Sequence, residues 1–188
     1  MRARASQGRL PHALPYQGSK RAIAGRILRH FPHDVGCLIE PFCGSAAVSV
    51  AAAARGFADR FWLNDVNAPL MNLWEDILER PVELGAEYEE LWRSQQFDPR
   101  EFFDQVRDEF NTTHEPRLLL YLLARIVKGS VRYSANGKFN QSPDNRRCGM
   151  RPVMMRDNSH PPRAVRDVRE HVPARCGARP DLAGLGRI

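Results

Sequence analysis

The run IEPFCGSAAVSVAAAARG at residues 39–56 constrains this chain more than any other stretch. It passes from the apolar end of a predicted strand, VGCLIE at residues 35–40, through a small-residue turn into a predicted helix over residues 46–55. The run RFWLN at residues 60–64 then predicts a second strand. A strand, a turn, a helix and another strand form a βαβ unit, so the sequence predicts an α/β fold.

The turn at Gly44 has the features of a ligand-binding turn. It would expose backbone N–H groups at a helix N-terminus, and a glycine allows a ligand to approach the backbone closely. Asp65 follows the second predicted strand, where a carboxylate can accept two hydrogen bonds from a ribose diol. The pair indicates a ligand that contains adenosine. Taken alone, the turn is explained at least as well by a tight βα connection that binds nothing.

Helical patterns dominate the chain from residue 67 to residue 129. A shorter helix is also predicted before the first strand, from Lys20 to Pro32. The predicted core positions are Ile23, Ile27 and Phe31 in that first helix; Leu70, Leu73, Trp74 and Ile77; Leu84, Tyr88, Leu91 and Trp92; Phe102, Phe103, Val106 and Phe110; and Leu118 to Leu123 with Ile126 and Val127, before Gly129. These apolar stripes are most simply a helical core.

The segment VRYSANGKFN at residues 131–140 carries the signal of a tight hairpin. Asn136-Gly137 lies between two short extended runs, with Arg132 and Lys138 on the two arms. After residue 150 the chain is rich in Pro, Arg and Ala and contains no aromatic residue, so we expect residues 151–188 to form a basic, disordered or truncated tail.

The net charge of +6 is unevenly distributed. Residues 1–33 hold seven basic residues and no acidic one, residues 34–110 hold six and sixteen, and residues 111–150 hold seven and two. Basic stretches that flank an acidic middle fit a polyanion such as DNA, although scattered solvated charge explains the counts about as well.

The cysteines and the N-terminus indicate the cellular setting. The four cysteines form no CxxC pair and no zinc spacing, so we expect reduced thiols and no metal site. No apolar run is long enough to cross a bilayer, and the basic start lacks the hydrophobic segment of a signal peptide. These features predict a cytoplasmic protein.

Several motifs together resemble the Dam-like, D12 class of site-specific DNA adenine-N6 methyltransferases. They are PYQGSK at residues 15–20, EPFCGSAAV at 40–48, NDVN at 64–67, FNQS at 139–142 and RRCGM at 146–150. The resemblance covers about residues 14 to 157 and depends on the order and spacing of the motifs.

The resemblance implies an incomplete Rossmann-like fold that binds S-adenosylmethionine. Tyr16 and Lys20 would lie near the cofactor. Phe42 and Gly44 would shape the turn beneath it, and Asp65 would bind the ribose hydroxyls. On this interpretation residues 1–67 are the cofactor-binding start of the methyltransferase domain.

The resemblance further implies that residues 68–150 form a mostly helical target-recognition region. Its hairpin would bring Arg132, Lys138 and Asn140 to double-stranded DNA, with contacts that weaken as salt rises. The charges of Arg132 and Lys138 are explained about equally well if they only keep an exposed hairpin soluble.

The sequence departs from this family in one essential respect. Enzymes that methylate an amino group use a tetrapeptide of an acid, amide or Ser, two prolines and an aromatic residue, which binds and stacks on the flipped adenine. The single Pro-Pro pair, at residues 161–162, stands between His160 and Arg163, so no catalytic residue is assigned. The chain also has only two convincing strands.

We therefore expect a truncated member of the family or half of a split enzyme, with a complementing fragment as a partner. The chain alone should transfer no methyl group, and incorporation of labelled methyl into DNA would show otherwise. The alternatives are a DNA-binding module without a cofactor and a nucleotide-dependent oxidoreductase, for which the turn has too few glycines. A P-loop enzyme is excluded because PYQGSK lacks the preceding glycine spacing.

Overall fold

A computed structural model describes residues 12–32 and 35–158. In this part of the chain two parallel strands and seven α-helices form a mixed α/β structure. The elements are α1 (Arg21–Ile27), β1 (Val35–Glu40), α2 (Ala47–Ala54), β2 (Ala58–Leu63), α3 (Ala68–Glu79), α4 (Pro81–Ser94), α5 (Pro99–Thr113), α6 (Pro116–Arg125) and α7 (Pro152–Asn158), with 3-10 turns at Leu28–His30 and Val127–Gly129. Each described helix is too short or too polar to cross a lipid bilayer.

The predicted βαβ unit is confirmed. β1 and β2 pair in parallel, from Val35 opposite Ala58 to Glu40 opposite Leu63. The alanines of α2 allow the helix to approach the sheet closely, and Ala51 and Ala52 are fully buried. The second strand begins at residue 58 rather than 60 because Gly56, with φ of 66°, closes the helix in a tight turn.

The helix predicted before the first strand is present, but its buried face is only partly the predicted one, since Phe31 packs against the neighbouring apolar cluster and Ile23 does not. Ile23 is 41% exposed, whereas Ala24 and Leu28 are buried against α2. A Cβ at Gly25 would lie 3.0 Å from the guanidinium of Arg55, so the helices approach along a stripe of small residues. The apolar spacing in the sequence could not reveal which side of this short helix faces α2.

The predicted helical core is confirmed. α6 lies at its centre and contacts α3, α4 and α5, and every side chain from Leu118 to Leu123 is buried. Asn67 and Asp98 cap α3 and α5, since each accepts hydrogen bonds from backbone N–H groups in the first turn.

α6 ends earlier than its apolar pattern predicts. The helix stops at Arg125, whose carbonyl accepts a hydrogen bond from the Asp144 N–H, and Ile126 forms a bridge with Pro143. Val127 is therefore 46% exposed instead of buried. A long-range contact, which local periodicity does not encode, terminates the helix.

The expectation of disorder from residue 151 onward is wrong for its first residues. α7 packs on α4, and Met155 is completely buried. Just before it, the carbonyls of Cys148 and Met150 accept hydrogen bonds from Gln95 and Tyr88. Residues 159–188, the rest of the predicted tail, lie outside the described residues.

We expect Phe110→Ala to lower the free energy of unfolding by about 3–5 kcal/mol, because the ring is fully buried and truncation leaves a cavity. Phe97→Ala is a matched control, since the Phe97 ring is fully exposed and its loss should change stability by no more than about 0.5 kcal/mol. Urea unfolding followed by circular dichroism measures both. Equal destabilisation by the two variants would contradict the described core.

Candidate functional site

The turn between β1 and α2 has a strained backbone held by contacts from outside it. Gly44 and Ala46 both lie in the left-handed region, with φ of 49° and 45°. This region is unfavourable for a residue with a Cβ such as Ala46. The Trp74 Nε1–H of α3 donates a hydrogen bond of 2.8 Å to the Gly44 carbonyl, so a residue predicted only as core also supports the turn.

The Asp65 carboxylate joins this turn to the end of β2. Its Oδ2 accepts a hydrogen bond of 3.0 Å from the Gly44 N–H, and its Oδ1 accepts one of 3.1 Å from the Asn67 N–H. The Cys43 N–H also donates to the Asn64 carbonyl at 2.9 Å. The two strand ends are therefore locked together at the carboxyl edge of the sheet.

A cleft of about 180 Å³ opens beside this turn. It brings together all five residues that the sequence predicts for cofactor binding, from three separate motifs: Tyr16, Lys20, Phe42, Gly44 and Asp65. The remaining lining residues are Gln17, Gly18, Ser19, Glu40, Cys43, Ser45 and Ala47. Clefts that enclose a whole drug-sized ligand usually measure about 300–1,000 Å³, so this cleft is too small to enclose such a molecule by itself.

The aromatic residues of the cleft differ in their surroundings. The Tyr16 ring lies directly over the turn, and a Cβ at Gly44 would come within 3.1 Å of it. Burial raises the pKa of the Tyr16 hydroxyl, and the nearby Asp65 carboxylate raises it further. Phe42 is 84% exposed, so its ring is available to a ligand or to another segment.

Glu40 was not predicted as a site residue, although it begins one of the quoted motifs. Its carboxylate accepts hydrogen bonds from the N–H and the hydroxyl of Ser49, at 3.0 and 2.6 Å. Burial nevertheless raises the pKa of Glu40. Its position at the last residue of β1, at the same edge as Asp65, is the signal that could have identified it.

The charges of the cleft favour a cationic ligand. Glu40 and Asp65 supply two carboxylates, and Lys20 supplies one ammonium group that hydrogen-bonds the Gly18 carbonyl at 3.0 Å. Among the described residues, no group of three or more His, Cys, Asp or Glu side chains could hold a metal ion.

The predicted hairpin is present, with a single bridge between Tyr133 and Phe139. Gly137, with φ of 73°, makes the turn, and the Ser134 N–H donates to the Lys138 carbonyl at 2.8 Å. The three residues predicted to contact DNA all lie exposed on this hairpin: Arg132, Lys138 and Asn140. The structure thus brings them together on one surface.

A second cleft, of about 460 Å³, lies at the base of the hairpin, and most of its charged residues are basic. Arg125, Lys128, Arg146 and Arg147 line it with one acid, Asp144. Arg125 is only 3% exposed, and its guanidinium donates to the backbone carbonyls of Pro99, Asp144 and Arg147. Sequence spacing did not single out Lys128, which lies in the turn just after α6.

These observations define an α/β protein with a cleft at the carboxyl edge of its sheet, the edge at which open α/β sheets usually bind ligands. A model of the family described as D12 class N6 adenine-specific DNA methyltransferase matches residues 16–168. The chain therefore belongs to this family, and the predicted resemblance is confirmed.

Curated relatives agree with the family assignment. The chain is 33% identical over 131 residues to the DNA adenine methylase of Serratia marcescens and 32% identical over 131 residues to that of Salmonella typhi. It is also 29% identical over 134 residues to the Retron Ec67 DNA adenine methylase of Escherichia coli. Each match covers 68% of this chain but only 46%, 45% and 44% of the respective relatives. The chain thus matches a little under half the length of these proteins.

We expect Cys43 to resist alkylation in the folded protein. Burial, with Asp65 and Glu40 nearby, raises the pKa of its thiol to about 12, so the reactive thiolate is almost absent at about pH 8.5. The exposed Cys148 serves as the internal control and should react readily. Iodoacetamide labelling followed by peptide mass spectrometry measures both, and modification of Cys43 at the rate of Cys148 before unfolding would disprove the expectation.

Proposed function

We propose that this chain binds S-adenosylmethionine and supplies the cofactor turn and the DNA-recognition region of a DNA adenine-N6 methyltransferase. The observation that carries this proposal is the convergence of Tyr16, Lys20, Phe42, Gly44 and Asp65 on one cleft. These residues come from three separate motifs, and all five lie within residues 16–168, which the family model matches.

The charge of the cleft suits S-adenosylmethionine better than a dinucleotide or a nucleoside triphosphate. Two carboxylates and one lysine give the lining a formal charge of −1. The cofactor, when bound, supplies an electrophilic methyl group on a positive sulfonium, and it also carries an ammonium group. A positive group near Glu40 would offset the cost of burying that carboxylate. The negative phosphates of a dinucleotide would instead be repelled by the net negative charge of the cleft. This repulsion disfavours the alternative of a nucleotide-dependent oxidoreductase.

Asp65 can serve the turn and a ribose at the same time. Each of its oxygens already accepts one backbone hydrogen bond. An ionised carboxylate has about four acceptor positions, so two remain for the ribose hydroxyls. Gly44 leaves space for a ligand beside Asp65, because Gly44 lacks the Cβ that would crowd the Tyr16 ring. The residues present therefore fit the cofactor.

The hairpin and the basic cleft at its base form the proposed DNA surface. Arg132, Lys138 and Asn140 are exposed together, and the neighbouring cleft holds four basic residues and one acid. Such a surface attracts the phosphates of double-stranded DNA and could also reach base edges. Residues 68–150 are accordingly the proposed recognition region, and residues 1–67 the start of the cofactor domain.

The exposed side of the sheet supports a complementing fragment as a partner. Ile39 and Trp62 pair across β1 and β2 and are 52% and 58% exposed, while Leu38 and Phe61 of the opposite face are buried. Parallel sheets are normally covered on both faces. We therefore propose that further strands and helices complete a Rossmann-like sheet here and contribute the catalytic tetrapeptide, which residues 1–188 lack.

We expect Asp65→Ala to weaken S-adenosylmethionine binding by about 10-fold or more, since hydrogen bonds to a charged group contribute about 1.5–3 kcal/mol. Asp65→Asn should weaken binding less, because one acceptor oxygen remains. Glu90→Ala, on the exposed face of α4, is the matched control and should bind like the wild type. Isothermal titration calorimetry measures all four proteins.

Two results of this titration would count against the proposal. Equal affinity of the Asp65→Ala and Glu90→Ala variants would remove Asp65 from the site. Failure of the folded wild type to bind, both alone and with a complementing fragment, would refute the cofactor assignment and leave a DNA-binding module as the better function.

We expect Arg132→Ala to weaken binding to double-stranded DNA and to reduce the salt dependence. Loss of one phosphate contact lowers the slope of log K against log salt by about 0.9. Arg93→Ala on α4, whose side chain is 73% exposed and paired with Glu89, is the control and should leave the slope unchanged. Fluorescence anisotropy between about 50 and 200 mM salt measures this. Identical slopes for both variants would exclude Arg132 from the DNA surface.

A further inference from the structure

A continuous series of hydrogen bonds connects the hairpin to the cofactor turn. The Tyr133 hydroxyl donates to the Asn67 Oδ1 at 3.1 Å, and the Asn67 N–H donates to the Asp65 Oδ1 at 3.1 Å. The other oxygen of Asp65 accepts from the Gly44 N–H at 3.0 Å. Three hydrogen bonds therefore connect Tyr133, which follows Arg132 on an arm of the hairpin, to the turn of the proposed cofactor cleft.

The Tyr133 ring is fixed, so its hydroxyl has a defined position. It meets the Phe139 ring edge-on at a centroid distance of 6.1 Å, and Phe139 is 1% exposed. The Phe139 N–H donates a hydrogen bond of 2.7 Å to the Asn111 Oδ1, and the Asn111 Nδ2–H donates one of 3.1 Å to the Phe139 carbonyl. The hydroxyl is thus part of a rigid support and not of a mobile hairpin tip.

A second contact ties the segment that enters the hairpin to the other side of the cleft. The Gln17 N–H donates to the Gly129 carbonyl at 3.0 Å. A Cβ at Gly129 would lie 2.5 Å from the Pro15 carbonyl oxygen, so the two backbones are in close contact. Gln17 is next to Tyr16, which covers Gly44. The hairpin is therefore attached to both walls of the cleft.

We propose that Tyr133 is a positioning residue that couples the cofactor cleft to the DNA-binding hairpin through Asn67 and Asp65. This inference rests on the proposed function of both sites. Hydrogen bonds from a ribose to Asp65 orient its carboxylate, and the Asn67 and Tyr133 hydrogen bonds pass that constraint to the arms of the hairpin. Occupation of the cleft then restricts the hairpin, and DNA on the hairpin restricts the turn, because coupling between two sites is reciprocal.

A purely local role for the hydroxyl makes a different prediction. If Tyr133 only satisfies its own polar group, its loss changes the hairpin and leaves the turn at Gly44 untouched. The two roles therefore predict different behaviour of the turn at Gly44 when the Tyr133 hydroxyl is removed.

Three variants separate these roles. Tyr133→Phe removes the hydroxyl and keeps the ring against Phe139. Asn67→Ser keeps a good helix cap for α3, but its shorter side chain no longer reaches Tyr133. Tyr121→Phe is the matched control, since that hydroxyl donates to the Gln95 Oε1 at 3.0 Å within the helical core.

Hydrogen exchange of the full chain without ligand tests the connection itself. We expect Tyr133→Phe and Asn67→Ser to speed exchange of the Gly44 and Asn67 amides by about threefold to tenfold, the effect of losing one hydrogen bond. After correction for global stability, Tyr121→Phe should leave those amides unchanged. Unchanged exchange at Gly44 and Asn67 in Tyr133→Phe would overturn the proposal, whether or not any cofactor binds.

The same measurement with saturating S-adenosylmethionine tests the coupling. The ligand should slow exchange across residues 131–140 in the wild type and in Tyr121→Phe, and this protection should disappear in Tyr133→Phe while calorimetry shows that the variant still binds. Protection that persists in Tyr133→Phe would overturn the proposal. A wild type that binds no S-adenosylmethionine would instead refute the proposed function, and the ligand-free exchange would still decide whether the connection exists.

Discussion

The hydrogen bonds that the Asp65 carboxylate accepts from the Gly44 and Asn67 N–H groups hold this structure together at its functional edge. The turn contains two residues in left-handed conformations, so it needs support from outside its own sequence. Asp65 supplies that support from the segment just after β2, and Trp74 supplies it from α3. The start of α2, the cleft and the start of α3 all depend on these contacts, which is why one acidic residue connects the sheet to the helical region.

The two clefts of this chain carry charges of opposite sign. The cleft beside the turn has two carboxylates and one lysine, whereas the charged residues of the hairpin and of the cleft at its base are mostly basic. The proposed cationic cofactor and the proposed DNA partner would therefore each meet a surface of complementary charge. Burial raises the pKa of Glu40 above its usual range, which is the cost of keeping the first surface acidic.

The described core contains two apolar clusters. One joins α1, α2 and the strands, and a larger one joins the helices α3 to α7 and the hairpin to Val50 of α2 and to Leu14 and Cys43. The larger cluster contains every residue of α6 from Leu118 to Leu123. The sheet, in contrast, leaves Ile39 and Trp62 exposed. The chain matches a little under half the length of its relatives, and the exposed face of the sheet supports the proposal that further segments complete it.

The sequence by itself determined the βαβ unit, the four central helices, the hairpin and five residues that line the proposed cofactor cleft, because periodicity, helix caps and the Asn-Gly turn are local signals and the family motifs are short. Only the tertiary structure decided that Ala24 and Leu28, and not Ile23, bury α1, that α6 ends at Arg125, and that α7 packs through Met155. It also decided that Glu40 joins the cleft and that Tyr133 reaches Asn67. Each of these depends on a partner distant in sequence, and the spacing of residues along one segment carries no information about which distant segment will pack against it.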